Sequence, residues 1–378
     1  MSDRALPGFV RRIEAAAPPG RDRALDALRA FAVLGVVLGH WLVTALVADS
    51  GAVRTASPLA ALPELAPVSW ALQTLAVFFL VAGVLSARGL NRARARGTPY
   101  RKWLANRLKR LFRPLLAVLA VWVAAAAAML ASGTAHETVY ALVRLVLAPL
   151  WFLLVLAALT VLTPLAARTP AGWPLTAVVL VDLLRYGLDG PAESGWINLV
   201  AAWLTPYCLG ARWARRGTPG RATGWALLTG GALAASALVL LAGYPAAMVG
   251  VPGAGASNLS PPTLAAVAFG LAQCGAALLL LGPLRRALNG PRLWAAVALV
   301  NLSAMTVFLW HQTAMIAVTA LGLLAGVPLP GLHTPPDTAG WVLARLAWLP
   351  VFALALAVCW AAFRGCEKGP LRPPGPPR

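Results

Sequence analysis

Arg29 and His40 stand eleven positions apart in the first apolar run of the chain, RALDALRAFAVLGVVLGHWLVTAL. Ionisable groups inside a bilayer are rare, and where they occur they face a bundle interior and mark a functional path. At about 1.5 Å and 100° per residue, this spacing is roughly 16 Å along a helix and three turns plus about 20° around it, so one stripe carries both. A fixed cation near the start and an imidazole past the middle suit a site that grips an anionic handle at one membrane face and moves a proton deeper in. A neutral imidazole can accept a proton from an alcohol, and a guanidinium holds phosphate or carboxylate oxygens in a bidentate fork. Asp26, on the same face, is placed to orient Arg29. The plainer alternatives are that Arg29 snorkels to the inner headgroups and that His40 is a packing histidine.

Further candidates lie in three places. Residues 100–114, YRKWLANRLKRLFRP, put Arg107, Arg110 and Arg113 at three-residue steps on one helical face leading into the third apolar run. That face suits polyphosphate and equally serves as a topology anchor. His311 and Gln312 sit in an unusually polar patch with Asn301, Ser303 and Thr313. Arg144 and Arg345, near the outer ends of their runs, are candidates for an anionic acceptor, with snorkelling and pairing with Asp182 as the alternatives. Asp182 and Arg185, three residues apart, are expected to pair with each other.

The elements that must position these residues are membrane helices. Hydrophobic residues make up 60% of the 378 and charged residues 12%, against about 45–50% and 25% in ordinary soluble domains. Ten apolar runs approach the roughly 20 residues needed to cross a bilayer: 25–47, 67–86, 112–132, 141–164, 172–188, 196–212, 223–243, 263–282, 294–326 and 340–363. The ninth is long enough to hold an interfacial helix plus a span. The expected fold is therefore an all-α integral membrane protein, one bundle of about ten transmembrane helices at 25–363. A polar tail, 1–24, precedes it, and a Pro-rich tail, 364–378, follows.

The net charge of +20 does not make this a nucleic-acid binder. With the N-terminus in the cytoplasm, 27 of the 32 basic residues fall on the inner side and only Arg54 and Arg185 in outer loops, as the positive-inside rule requires. Both termini are then cytoplasmic, and the neutral loop 245–262 is outside. The first apolar run is longer than a signal-peptide core and reads as a retained span. Cys208, Cys274, Cys359 and Cys366 form no CxxC pair, and the four histidines show no metal-ligand spacing. No metal is expected.

Four segments in order resemble the membrane-bound acyltransferase-3 family: LDALRAFAVLGVVLGH (25–40), VFFLVAG (77–83), RLKRLFRP (107–114) and LSAMTVFLWHQ (302–312). The family's first motif is Arg, ten residues, His, met by Arg29 and His40. The second, Phe-Phe-x-x-Ser-Gly, is met at Phe78, Phe79 and Gly83, with Ala82 in place of the serine. The basic run matches at Arg107, Arg110 and Pro114. The late motif, Ser-Tyr-x-x-Tyr-Leu-x-His, is met at Leu309 and His311, with Phe308 for a tyrosine and Ser303 one position early.

The resemblance implies an O-acyltransferase of the bacterial plasma membrane. It would move an acyl group, acetyl or another short chain, from cytoplasmic acyl-CoA to a hydroxyl of a surface glycan, glycolipid or secondary metabolite. In that reading His40 is the catalytic base, and Arg29, Arg107, Arg110 and Arg113 hold the acyl-CoA. Asp26, His311, Gln312, Arg144 and Arg345 support the site or bind the acceptor. The alternative from another class is a multi-pass transporter exporting an anionic glycolipid or metabolite, with His40 relaying protons.

Overall fold

The computed structural model describes residues 8, 21–49, 52–252 and 256–366. Most of both expected tails, and residues 253–255 of the expected outer loop, lie outside these.

The longer helices are α1 (Arg23–Val43), α2 (Leu75–Ala95), α3 (Tyr100–Ala131), α4 (His136–Leu147), α5 (Trp151–Val161), α6 (Gly172–Asp182), α7 (Asn198–Arg216), α8 (Arg221–Leu241), α9 (Leu264–Ala287), α10 (Pro291–Leu302), α11 (Ala304–Gly322) and α12 (Ala339–Phe363). A 3₁₀ turn at Ala148–Leu150 joins α4 to α5. The only strands among the described residues form a hairpin, β1 (Ala45–Asp49) antiparallel to β2 (Ala52–Ala56), pairing Ala45 with Ala56 and Asp49 with Ala52. The expected first span, 25–47, thus ends as helix at Val43 and passes into this hairpin.

Eight helical segments among the described residues are long and apolar enough to cross a membrane, against ten expected. The two that fall short are the expected runs 172–188 and 196–212. The first is helical for only 11 residues before passing into a π-helical turn at Leu183–Gly187. The second, α7, is 19 residues long but carries Asn198, Thr205, Arg212, Arg215 and Arg216. The expected long run 294–326 breaks at Ser303 into α10 and α11. Large apolar side chains are turned outward along these helices, among them Leu116, Val123, Leu240 and Leu241. Outward-facing apolar side chains on helices of this length suit hydrocarbon, and the chain is a multi-pass membrane protein.

The described chain divides into two compact units. The first comprises residues up to Gly39, Pro63–Trp103 and Leu154–Leu302. Its helices meet through glycines, as lipid-embedded helices do when close backbone approach supplies the packing. A Cβ on Gly83 of α2 would run into the Tyr207 carbonyl oxygen of α7, and one on Gly210 of α7 into the Leu80 carbonyl oxygen. Beside that crossing, Phe79 stacks on Trp203 with ring centroids 5.4 Å apart. Gly231 of α8 and Gly275 of α9 make the same kind of approach.

Asp182 closes one end of this unit. Its carboxylate accepts from Asn198 Nδ2 (2.9 Å), the Tyr244 hydroxyl (3.0 Å) and the Leu264 backbone N–H at the start of α9 (2.7 Å). The expected ion pair with Arg185 is absent among the described residues: three other donors engage the Asp182 carboxylate, and the Arg185 guanidinium lies over the Tyr186 ring at 4.8 Å. Partial burial, reinforced by the adjacent Asp182 carboxylate, pushes the Tyr244 phenol above its ordinary range.

The second unit comprises His40–Leu62, Leu104–Leu153 and the chain from Ser303 onward. It packs α11 against α12 and seats the hairpin against α4, where the Val53 N–H donates to Thr138 Oγ1 at 3.0 Å. His333 ties the connection between α11 and α12 in place. Its Nδ1 accepts from the Leu329 N–H, its Nε2 donates to the Thr319 carbonyl, and its own carbonyl accepts from Ala48 of β1.

Candidate functional site

His40 sits in the last turn of α1, a continuous helix that also carries Arg29. In the second unit its ring faces that of His311 on α11, with centroids 5.0 Å apart and planes inclined at 42°. The two histidines come from opposite ends of the sequence, so their meeting is a product of the fold.

His311 is oriented by its own helix. Its ring Nδ1 lies 2.6 Å from the Phe308 carbonyl oxygen, one turn back. A carbonyl only accepts, so Nδ1 carries the proton and Nε2 holds the lone pair. That Nε2 is buried and has no hydrogen-bond partner. The neighbouring Gln312, 1% exposed, likewise leaves both amide atoms without a partner. Buried polar groups are nearly always satisfied in folded proteins, so His311 Nε2 and the Gln312 amide are groups able to bond a ligand. His333 provides the contrast, since both of its ring nitrogens are engaged and it is structural. His40 keeps part of its surface open and makes no side-chain hydrogen bond among the described residues.

The scaffold round this pair is aromatic and tightly tied. Trp41, next to His40, donates its indole N–H to the His311 carbonyl oxygen at 3.0 Å. Trp122 of α3 donates to Thr313 Oγ1 at 2.9 Å. Phe308, which replaces the family's tyrosine, packs on Phe152 (5.1 Å) and flanks His311 (6.0 Å).

The remaining expected site residues separate into groups. Arg107, Arg110 and Arg113 lie on α3 within the second unit, Arg110 exposed and the other two half-buried. Arg144 is exposed in the last turn of α4. Arg345 is 1% exposed, enclosed between α12 and the end of α1. Arg29 and Asp26 belong to the first unit. There Asp26 accepts from Arg21 Nε (2.5 Å) and Nη2 (3.2 Å), and its backbone carbonyl accepts from Asn301 Nδ2. The start of α1 is ringed by further cations, which their sequence positions mark only as topology. Arg23 lies 4.9 Å over the Trp294 ring, and Arg285 pairs with Asp22 at 3.1 Å. No group of three or more potential metal ligands occurs among the described residues.

A family model described as an acyltransferase domain matches residues 22–364, nearly the whole described chain. The chain belongs to the acyltransferase-3 family. No curated protein and no solved structure matches it. Within this acyltransferase the motif residues have physical reasons. Gly83, in the second motif, is the close approach of α2 to α7, where any side chain would strike backbone. His311, in the late motif, is the ring opposite His40. Ala82, where the family has serine, is buried in the same helix.

Proposed function

We propose that this membrane acyltransferase transfers an acyl group, acetyl or another short chain, from cytoplasmic acyl-CoA to a hydroxyl of an extracytoplasmic or membrane-associated acceptor such as a surface glycan, glycolipid or secondary metabolite. The observation that carries the reading is the His40–His311 pair, two imidazoles in contact within apolar helices, one with a buried and unused ring nitrogen. His40 takes the proton from the acceptor hydroxyl as its oxygen attacks the thioester carbonyl. The tetrahedral intermediate then expels the CoA thiolate, which takes up a proton, leaving an ester and a free thiol. Arg29 and the Arg107, Arg110 and Arg113 face are the groups proposed to bind the CoA phosphates; their guanidiniums stay protonated and act as fixed cations, not as acid or base. The basic residues that flank the helices support a topology of ten passes with both termini inside, α6 and α7 serving as the two less apolar passes.

The break at Ser303 favours a second reading, since discontinuous helices are a device of transporters. One experiment separates the two. Mass spectrometry of envelope and secreted products compares a deletion strain with strains complemented by the native gene or by His40→Ala. Acyl transfer requires loss of an O-acyl ester in the deletion, restored by the native gene and reduced about 10²–10⁴-fold by His40→Ala, the usual contribution of a general base. An unmodified acceptor that still reaches the surface supports transfer. An acceptor retained inside the cell, with its esters intact, supports export.

A further inference from the structure

The last turn of α1 is held by a cation that has no carboxylate partner among the described residues. Arg345, in the second turn of α12, donates from Nε to the Trp41 carbonyl (2.6 Å), from Nη2 to the Thr44 carbonyl (2.7 Å) and to Met315 Sδ (2.9 Å), and from Nη1 to the Gly331 carbonyl (2.8 Å). Its guanidinium also lies 4.6 Å from the Phe352 ring centroid and 5.5 Å from that of Trp341. A buried charge is expensive to desolvate unless its donors are satisfied. Here four of its five N–H groups have acceptors, and the terminal carbonyls of α1 present the negative end of a helix dipole to it. The rigid fork of arginine reaches acceptors on three separate segments at once, which a single ammonium cannot. The connection from α11 is shaped to supply one of them. Gly331 takes a left-handed φ of 77°, and a Cβ there would lie 2.7 Å from the Arg345 backbone nitrogen.

Two of these acceptors, Trp41 and Thr44, bracket the end of the helix that carries His40, and the Thr44 N–H donates to the His40 carbonyl. Met315 lies one turn beyond His311 on α11. Trp41 makes the complementary tie, its indole donating to His311. We infer that Arg345 is a positioning residue: it clamps the His40 turn of α1 to α11 and thereby sets the spacing of the two imidazoles. With 1% of its surface exposed, it offers no face to an acceptor. The inference rests on the acyl-transfer reading for its catalytic consequence, and on geometry alone for its mechanical one.

The test has two readouts on full-length protein. The first is the rate of oxidative disulfide trapping between cysteines in a His40→Cys/His311→Cys protein, with Arg345 native or replaced by Met or Lys. Arg345→Met is expected to slow trapping by about 10-fold or more, and Arg345→Lys, keeping the charge but not the fork, by an intermediate amount. The second is steady-state transfer with both histidines intact. Arg345→Met is expected to lower kcat by about 100-fold, the scale of a misplacement near 1 Å, with KM for acyl-CoA and acceptor unchanged. Trapping at the native rate in either variant overturns the clamp. A raised KM for the acceptor with native kcat overturns it too, in favour of substrate binding. If Arg345→Met does not survive extraction, Arg345→Lys decides by the same criteria. Normal transfer by His40→Ala would instead defeat the acyl-transfer mechanism, and the trapping rates would still decide the clamp.

Discussion

The contact between His40 and His311 makes a quantitative demand on a double-mutant cycle. Replacing a general base by Ala typically removes about 10²–10⁴ in rate, and replacing a group that only supports it removes less. Independent sites multiply, as holds for residues more than about 7–10 Å apart. The ring centroids here are 5.0 Å apart. Residues in contact couple by about 0.5–3 kcal/mol, equivalent to about 2- to 150-fold in rate. With single losses of about 10³ for His40→Ala and 10 for His311→Ala, the double variant should lie near His40→Ala alone and not at the product of about 10⁴. Pairing His40→Ala with Arg144→Ala, a change at an exposed position of α4, should multiply. The assay is ester product per unit of membrane-inserted protein, measured by mass spectrometry in complemented deletion strains. A fully multiplicative loss for the two histidines refutes the idea that they act as one unit.

Three other outcomes are expected. Arg29→Ala or Arg110→Ala should weaken acyl-CoA binding by about 1.5–3 kcal/mol each, the range for a hydrogen bond to a charged group, with Lys rescuing only part; equal binding after both changes, measured by calorimetry, would mean the phosphates are held elsewhere. Gly83→Leu or Gly210→Leu should shift the thermal unfolding midpoint of detergent-solubilised protein markedly downward, since each side chain would meet a backbone carbonyl, while Gly133→Leu, with nothing near its Cβ, should suffer only from its φ of 80°. Topology reporters fused after Gly97 and after Gly250 should give opposite signals, and equal signals would break the ten-pass alternation.

Helix existence was legible from the sequence because apolar length and the scatter of arginines depend only on composition along the chain. The first strand of the hairpin was hidden because Ala45–Val47 read as the end of the span 25–47, and its pairing depends on Ala52–Ala56, which read as outer loop, returning over it. The break at Ser303 left no Pro or Gly signal at that point. Arg29 and His40 stood out because ionisable residues are conspicuous in an apolar run. His311, the ring that meets His40, stood out for the same reason, but the groups that engage Arg345 and Trp41 did not, since they are mostly backbone carbonyls, which every residue carries. The expected pairing of Asp182 with Arg185 followed helical spacing. It gave way to donors 16, 62 and 82 residues distant in sequence, which no local pattern encodes.

The enclosure of Arg345 also bears on the order in which the protein is made. An arginine within an apolar helix is costly to insert, most of all at mid-bilayer and less near a helix end such as the second turn of α12. Two of its acceptors, on Trp41 and Thr44, are synthesised 304 and 301 residues earlier. The bonds that complete the end of α1 therefore join segments from nearly opposite ends of the described residues. A chain truncated before Arg345 would lack the cation that binds the Trp41 and Thr44 carbonyls at the end of α1.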